Sequence, residues 1–238
     1  MLAVSFSDAL AISRDRLRSH WRLKLLMTCA LGTFFCVPYF LLMYYPLRPP
    51  RTLPTTVLDD AFPFDARWIW VYQSIYLLIN PLPWLATRRA QLARFCVGFV
   101  AVCCVSFAIF AIYPTACSRP DVADPRGMYW LLLLYDRKLN AFPSLHAGLL
   151  TYTLLFVRRL IREDHYWRHP FDLANLLFVG AVIWGILILI GAMFLKEHYA
   201  IDLLAGAALA VVADWFAWSK LVRINDCNNG RMSHVGWR

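Results

Sequence analysis

Long apolar runs, separated by shorter polar or basic stretches, dominate the hydrophobic pattern of this chain. Each run is close to the roughly 20 residues that a helix needs to cross a bilayer. The runs extend approximately over Leu23–Tyr45, Trp68–Thr87, Phe95–Tyr113, Ala141–Val157, Phe171–Leu195 and Tyr199–Leu221. The pattern therefore predicts an all-α, polytopic membrane protein with a bundle of six transmembrane helices.

The polar flanks of these runs divide the chain into three parts. Residues 1–22 form a basic N-terminal segment, residues 23–221 form one membrane domain, and residues 222–238 form a polar tail that we expect to be loose. The apolar stretch Met128–Tyr135 is too short to cross a bilayer and is expected to lie at its surface. Prolines inside the second run are expected to bend or end that helix.

The composition agrees with a membrane protein, since 60% of the 238 residues are hydrophobic. The net charge of +9 comes from side chains that punctuate the apolar runs, so it indicates membrane topology rather than nucleic-acid binding. Of the two sets of loops that alternating spans create, the set holding both termini carries twice as many Lys and Arg residues. The positive-inside rule then places both termini in the cytoplasm and the loops at 46–67, 114–140 and 196–198 outside. Cys117 lies in such an outer loop without an obvious partner, and no disulfide framework is evident.

Candidate chemistry begins in the stretch Asn140–His146, where a polar loop gives way to an apolar run. Pro143 suits the first turn of a helix, because the missing N–H has no partner to lose there. Ser144 and His146 are then expected in the same turn, at the water edge of the membrane.

A second water edge carries His198 and Asp202, which are four residues apart and would share one face of a helix. Under the predicted topology, His146 and His198 both begin spans from the outer side of the membrane. Ionisable residues at membrane depth are costly and usually functional. We therefore expect the two histidines to meet in one phosphate-handling site.

These residue types fit phosphoryl transfer, which needs a nucleophile, an acid for the leaving group and positive charge on the phosphate oxygens. His198 is the candidate nucleophile, and Asp202 can accept a hydrogen bond from its other nitrogen. His146 is the candidate general acid, because an ordinary histidine has a pKa of about 6.5. Ser144 and the free N–H groups of its helix can bind phosphate. Five cations can neutralise charge: Arg119, Arg126, Arg137, Lys138 and Lys196.

The same residues are also compatible with structural or metal-binding roles. A His-x-x-x-Asp pair is often only a structural hydrogen bond, and two histidines with an aspartate could also ligate zinc. No further cluster of ligands completes such a metal shell in the sequence, so we expect neither a metal nor another cofactor. The basic loop residues could simply be solvated or contact lipid headgroups, and Glu197 is expected to be solvated.

Two motifs resemble a known family, the type 2 phosphatidic acid phosphatase (PAP2) superfamily. They are Phe-Pro-Ser-Leu-His at 142–146 and His-Tyr-Ala-Ile-Asp at 198–202, and the resemblance covers roughly residues 55–215. It implies a six-helix membrane enzyme that needs no metal and reacts through a phosphohistidine.

The resemblance also implies a role for each matching residue. His198 would be the nucleophile, Asp202 its orienting partner, and His146 the acid that protonates the leaving oxygen and later the base that activates the acceptor. The substrate would be a membrane phospholipid or a polyprenyl phosphate, with water, a lipid hydroxyl or an alditol hydroxyl as acceptor.

The chain departs from the usual pattern of that family at two phosphate-binding positions. Arg119-Pro120 matches the end of the first motif, but Ile112 stands where that motif has a lysine. Gly191 and Ala192 stand where the third motif has Ser-Arg. Two customary cations are therefore missing.

Arg119 is the best surviving match, and Lys196 or Arg126 could substitute for the missing charges. Together with Leu-Asp-Asp-Ala-Phe-Pro-Phe at 58–64, the pattern is closer to the inositol phosphorylceramide synthase and sphingomyelin synthase branch. That branch moves a headgroup between lipids, so hydrolysis and transfer both stay open. A polytopic transporter or scaffold without enzymatic activity is the alternative from another class.

Overall fold

The computed structural model describes residues 14–163 and 173–232, with side chains up to residue 219, and this part of the chain is mostly helical. The α-helices are α1 (Trp21–Tyr44), α2 (Val57–Asp60), α3 (Ile69–Gln73), α4 (Tyr76–Ile79), α5 (Arg89–Ile112), α6 (Gly127–Tyr135), α7 (Leu145–Glu163), α8 (Leu173–Phe194) and α9 (Ala200–Met232). Two 3₁₀ turns, Ala66–Trp68 and Leu82–Leu85, flank α3 and α4.

A small parallel sheet joins the two long loops. Strand β1 (Arg51–Thr52) pairs with β2 (Thr115–Ala116), with Arg51 opposite Thr115. Cys117 N–H then donates to the carbonyl of Lys138 at 3.0 Å, and Phe142 N–H donates to the Thr115 hydroxyl at 2.7 Å. These bonds hold the loops together just before α7 begins.

Four helices in the described residues are long and apolar enough to cross a membrane: α1, α5, α8 and the Ala200–Ser219 part of α9. The other two predicted spans differ. The expected helix over Trp68–Thr87 is a series of short helical pieces, interrupted at Ser74–Ile75 and at Asn80–Pro81. The expected helix over Ala141–Val157 begins only at Leu145 and continues to Glu163. The six-span count therefore stays a prediction.

Several predicted boundaries also differ from the structure. Pro143 precedes α7 instead of lying in its first turn, and the peptide bond before it is cis. Helix α9 does not end at Leu221 but continues to Met232, into the tail that we expected to be loose. Residues 1–13 of the basic N-terminal segment and the last residues of the tail, 233–238, lie outside the described residues, as do residues 164–172.

Two glycines allow α7 and α9, the most extensively packed pair of helices in the described part of the chain, to touch backbone to backbone. A Cβ atom on Gly206 would lie 2.2 Å from the carbonyl oxygen of Ser144, and one on Gly148 would lie 3.4 Å from the carbonyl of Gly206. Small residues permit such close approach between helices in membranes. This contact brings the start of α7 against the first turns of α9.

Candidate active site

The structure brings the two predicted histidines into contact. His198 Nε2 lies 3.5 Å from His146 Nδ1, and their rings are 5.5 Å apart between centroids. Both residues stand at helix starts, because α7 begins at Leu145 and α9 begins at Ala200. Histidines 52 positions apart in the chain are therefore within hydrogen-bond distance, so one group bound beside them could touch both.

Ser144 explains why α7 begins where it does. Its hydroxyl oxygen accepts the N–H of Ala147 at 3.2 Å, and its carbonyl accepts the N–H of Gly148 at 2.9 Å, which is the arrangement of a helix N-cap. Ser144 N–H donates to the carbonyl of Asp202 at 3.0 Å. The residue predicted to bind phosphate thus already caps α7 and ties it to α9, and this pairing sets the distance between the histidines.

Asp202 lies beside His198 but does not hydrogen-bond to it. Its carboxylate oxygen Oδ2 is 3.9 Å from His198 Nδ1, and it accepts the N–H of Tyr199 at 2.8 Å instead. His198 precedes α9 rather than lying on it, so the expected shared helical face is replaced by a capping turn. His198 Nδ1 and Asp202 Oδ1 are both buried without a hydrogen-bond partner among the residues that the structure describes.

The protonation of His198 follows from its surroundings. Burial lowers the pKa of His198 well below its usual range, and the neighbouring His146 lowers it further. Its imidazole is therefore neutral near pH 7, which leaves a nitrogen lone pair available for attack.

The turn that carries His198 is held by a residue far away in the sequence, Asp59. Its Oδ1 accepts the N–H of Ala200 at 2.7 Å, its carbonyl accepts Lys196 Nζ at 2.7 Å, and its Oδ2 accepts the N–H of Thr56 at 2.8 Å. Lys196 has a φ of 57°, a left-handed conformation that ends α8 sharply. Asp59 lies in the Leu-Asp-Asp motif of the sequence, but its partner could not be inferred from that motif.

Glu197 is buried, whereas the sequence led us to expect a solvated side chain. It is only 5% exposed, and its Oε2 lies 3.0 Å from Nη2 of Arg119, which is 3% exposed. Burial raises the pKa of Glu197 above its usual value, while Arg119 opposes that rise. Arg119 is the predicted cation that the structure keeps beside the histidines, and its Nε has no hydrogen-bond partner.

Cys117 is a buried free cysteine in the described part of the chain. Its thiol donates to the carbonyl of Glu197, and its sulfur lies within 4.8 Å of ligand atoms on His198 and Asp202. Thiolate, imidazole and carboxylate are the ligands that zinc accepts. The metal alternative therefore has one more candidate ligand than the sequence indicated.

The other predicted cations contact groups outside the histidine site. Arg126 pairs with Asp124 at an exposed position, Lys138 lies 2.7 Å from Asp121, and Arg137 covers the ring of Tyr44. Lys196 donates to the loop carbonyl of Asp59 as described above. These contacts involve neither histidine, so they give no support to the predicted role of these four cations in phosphate binding.

The positions of the two missing cations are occupied by uncharged residues. Ile112 is the last residue of α5 and is 60% exposed. Gly191 faces Trp68, and the carbonyl of Ala192 accepts the N–H of Glu197 at 3.0 Å. This end of α8 thus supports the His198 turn by its backbone.

Tyr72 is a site residue that sequence reasoning missed. Its ring stacks on His146 with centroids 4.6 Å apart, and its hydroxyl lies 3.3 Å from His146 Nδ1. Tyr72 is 1% exposed and lies on α3, inside the apolar run that was expected to be a plain span. No local signal distinguishes it from the other aromatic residues of that run.

Comparison with known proteins adds one match. A model of the PAP2 superfamily matches residues 91–226, which is more than half of the chain and includes both histidines, Asp202 and Arg119. The chain therefore belongs to the PAP2 superfamily, whose members are generally phosphatases or phosphotransferases. No curated protein and no solved structure matches the chain. The matched range leaves out Asp59 and Tyr72, which reach the site from the preceding segment.

Proposed function

We propose that the protein is a membrane enzyme that cleaves a lipid phosphate and transfers its phosphoryl group through a phosphohistidine on His198. The observation that carries the proposal is the 3.5 Å separation of His198 Nε2 and His146 Nδ1. A phosphate bound beside this pair would have His198 within reach of phosphorus and His146 within reach of the leaving oxygen. His198 is buried and His146 is half-buried, so little water reaches these nitrogens.

The reaction would proceed in two balanced steps. His198 Nε2 attacks phosphorus, the bond to the leaving oxygen breaks, and His146 in its protonated form donates a proton to that oxygen. Burial lowers the pKa of His146 to about 4, so its protonated form depends on the negative charge of the bound phosphate. A water or a hydroxyl group then attacks the phosphohistidine, His146 takes the proton from it, and the bond between phosphorus and His198 breaks. Asp202 would stabilise the positive charge on the His198 ring by a rotation that closes the present 3.9 Å gap.

Backbone dipoles can supply part of the positive potential that the missing cations would have provided. Helices α7 and α9, of 19 and 33 residues, both begin at the histidine pair, and helix N-termini favour anions. Arg119 adds a guanidinium whose Nε has no hydrogen-bond partner. These groups support a phosphate at this position.

The charge balance of the site favours a second, narrower candidate, transfer of a phosphoryl headgroup from one lipid to another. Arg119 lies 3.0 Å from Glu197, so part of its guanidinium is already occupied and it can offer a phosphate fewer donors. A phosphate monoester carries a charge of about −1.5 to −2 near pH 7, whereas a phosphodiester carries a single negative charge. A diester therefore suits this site better, in agreement with the resemblance to inositol phosphorylceramide and sphingomyelin synthases.

The distribution of Lys and Arg supports an orientation with both termini in the cytoplasm and the histidine pair at the outer face. Under this orientation the substrate comes from the outer leaflet. The phosphate would lie at the level of the headgroups, and its hydrocarbon chains would extend beside the helices.

A substrate panel tests both candidates. The purified protein is incubated with lipid monophosphates, polyprenyl diphosphates and phospholipid diesters, with and without lipid or alditol acceptors. Release of inorganic phosphate supports hydrolysis, and a new headgroup-bearing lipid supports transfer. Mass spectrometry should find the intermediate phosphate on His198. Failure to turn over any of these substrates contradicts both candidates and favours a transporter or scaffold.

The metal alternative is tested with the same assay. We expect activity to survive treatment with EDTA, because the proposed chemistry needs only imidazoles. Loss of activity that zinc restores would instead assign Cys117, His198 and Asp202 to a metal site.

A further inference from the structure

A cavity of about 260 Å³ lies along α1 and reaches the histidine site. One stripe of α1 lines it from Met27 to Phe40, and the broken segment around α4 lines the opposite side. His146 and Asp136 stand at one end, whereas Met27 and Pro83 stand at the other. The cavity thus connects the proposed phosphate position to the interior of the membrane domain.

The lining and the length of the cavity match a hydrocarbon chain. Nearly all of the lining side chains are apolar or aromatic. The stripe from Met27 to Phe40 covers 13 helical steps, or about 20 Å, which exceeds the roughly 15 Å from headgroup level to the middle of a bilayer. Among the described residues of α1 only Lys24, Met27 and Met43 are buried. Phe35 and Tyr39 are partly buried against the core cluster on one side and line the cavity on the other.

The cavity also opens sideways. Gly32 and Cys36 line it on α1, and both are exposed. Because α1 is one of the helices that can cross the membrane, this opening lies at the depth of lipid chains. A lipid could slide its chain in from the bilayer while its headgroup moves along the surface.

We infer that this cavity binds one hydrocarbon chain of the phosphate-bearing substrate lipid, with the phosphate at His146 and His198 and the chain running along α1 towards Met27. The inference rests on the proposed function for the position of the phosphate. It adds a selectivity for long chains, because only a long chain would fill the cavity beyond Gly32.

A substitution at Gly32 tests the chain site. A Cβ on Gly32 would meet nothing within 4 Å, so Gly32→Leu adds a side chain at the wall of the cavity without a clash at Cβ. Gly180→Leu on α8 is the matched control, since Gly180 is also exposed with open space around it and does not line the cavity. We expect G32L to raise KM for a long-chain lipid phosphate at least about tenfold, because several methylenes lose their burial. KM for a short-chain analogue should not change.

Equal effects on long and short chains, or no effect on either, would overturn the inference, as would the same chain-length effect in G180L. A second measurement separates this inference from the proposed enzymatic reaction. Long-chain lipid phosphate should slow the modification of Cys36 by an apolar maleimide but not that of Cys29, an exposed cysteine on α1 outside the cavity.

Protection of Cys36 requires that the lipid phosphate binds, but it does not require turnover. Selective protection of Cys36 in a protein without turnover would retain the chain site and reject the proposed reaction. Turnover without selective protection would retain the reaction and reject the chain site.

Discussion

The carboxylates at the two ends of the α7–α9 pair differ in their hydrogen-bond partners. At the end that we call the arginine end, Asp214 accepts two bonds from Arg159 Nε, at 2.8 and 3.0 Å. Glu163, at the same end, uses one oxygen for Gln91 at 2.8 Å and the other for Arg94 at 3.3 Å. At the histidine end, one oxygen of Glu197 and one of Asp202 have no hydrogen-bond partner.

This difference separates a structural cluster from a site prepared for a ligand. Buried polar atoms are normally paired, so each unpaired atom requires a reason. At the histidine end the unpaired atoms, Glu197 Oε1, Asp202 Oδ1, His198 Nδ1 and Arg119 Nε, surround the two imidazoles. At the arginine end both carboxylates have side-chain partners that hold the helices together, and the described atoms without a hydrogen-bond partner there, Arg94 Nε and Trp218 Nε1, are not on the carboxylates. The first end is therefore expected to govern activity and the second to govern stability.

The largest effect is expected from removing the nucleophile. His198→Ala should lower turnover by at least about 10³-fold, because the phosphohistidine cannot form. The free energy of unfolding should change little, since the ring makes few hydrogen bonds in the folded protein. Phosphate release and thermal unfolding in detergent measure the two quantities. Substantial residual turnover would remove His198 from the catalytic role.

The next effect is expected where α9 supports the start of α7. Gly206→Ala places a Cβ 2.2 Å from the Ser144 carbonyl, so the helices must separate. We expect a loss of about 1–3 kcal/mol in stability and a lower kcat, because the histidines move apart. Gly180→Ala is the control, as nothing lies within 4 Å of its Cβ. Unchanged stability and kcat in G206A would contradict the packing argument.

A smaller effect, confined to stability, is expected at the arginine end. Arg159→Ala leaves Asp214 buried without its partner and should cost about 2 kcal/mol, since the guanidinium is partly solvated. The kcat of the folded fraction should stay at the wild-type value. Chemical denaturation and active-site titration give both numbers. If Arg159→Ala lowered kcat as much as His198→Ala does, the proposal that the arginine end governs only stability would be wrong.

The smallest effect is expected from pH. The lowered pKa of His198 keeps its imidazole unprotonated as the pH falls, so the nucleophile is lost only below its folded-state pKa. The acid limb of kcat/KM should therefore have its midpoint below pH 6.5, the usual histidine value. A phosphodiester substrate is used so that substrate ionisation does not contribute. A midpoint at or above 6.5 would contradict the neutral, buried histidine.

The parts of the site that depend on local pattern could be predicted from the sequence. The helical character, the membrane setting and the pairing of His146 with His198 all follow from apolar runs and from where each histidine stands in them. The 3.5 Å contact of the two rings agrees with that reasoning. Pro143 shows the limit of reasoning from local pattern, because a proline before an apolar run does not reveal whether the helix starts at that proline or two residues later.

Other residues show why local pattern was insufficient for the phosphate environment. Glu197 is expected to be solvated from its charge alone, yet it is buried because Arg119, 78 positions away, pairs with it. Asp59 reaches the N–H of Ala200 across 141 positions. Tyr72 resembles any other aromatic residue in an apolar run until the fold stacks its ring on His146.

For this protein, the sequence by itself determined the membrane-helical class, the superfamily and the two histidines, because apolar run length and short motifs are properties of neighbouring residues. Tertiary structure decided which groups surround the phosphate position and where a lipid chain can lie. Those depend on contacts between distant segments, such as the close approach of α7 and α9 at Gly206 and the cavity between α1 and the segment around α4, and no local pattern encodes either one.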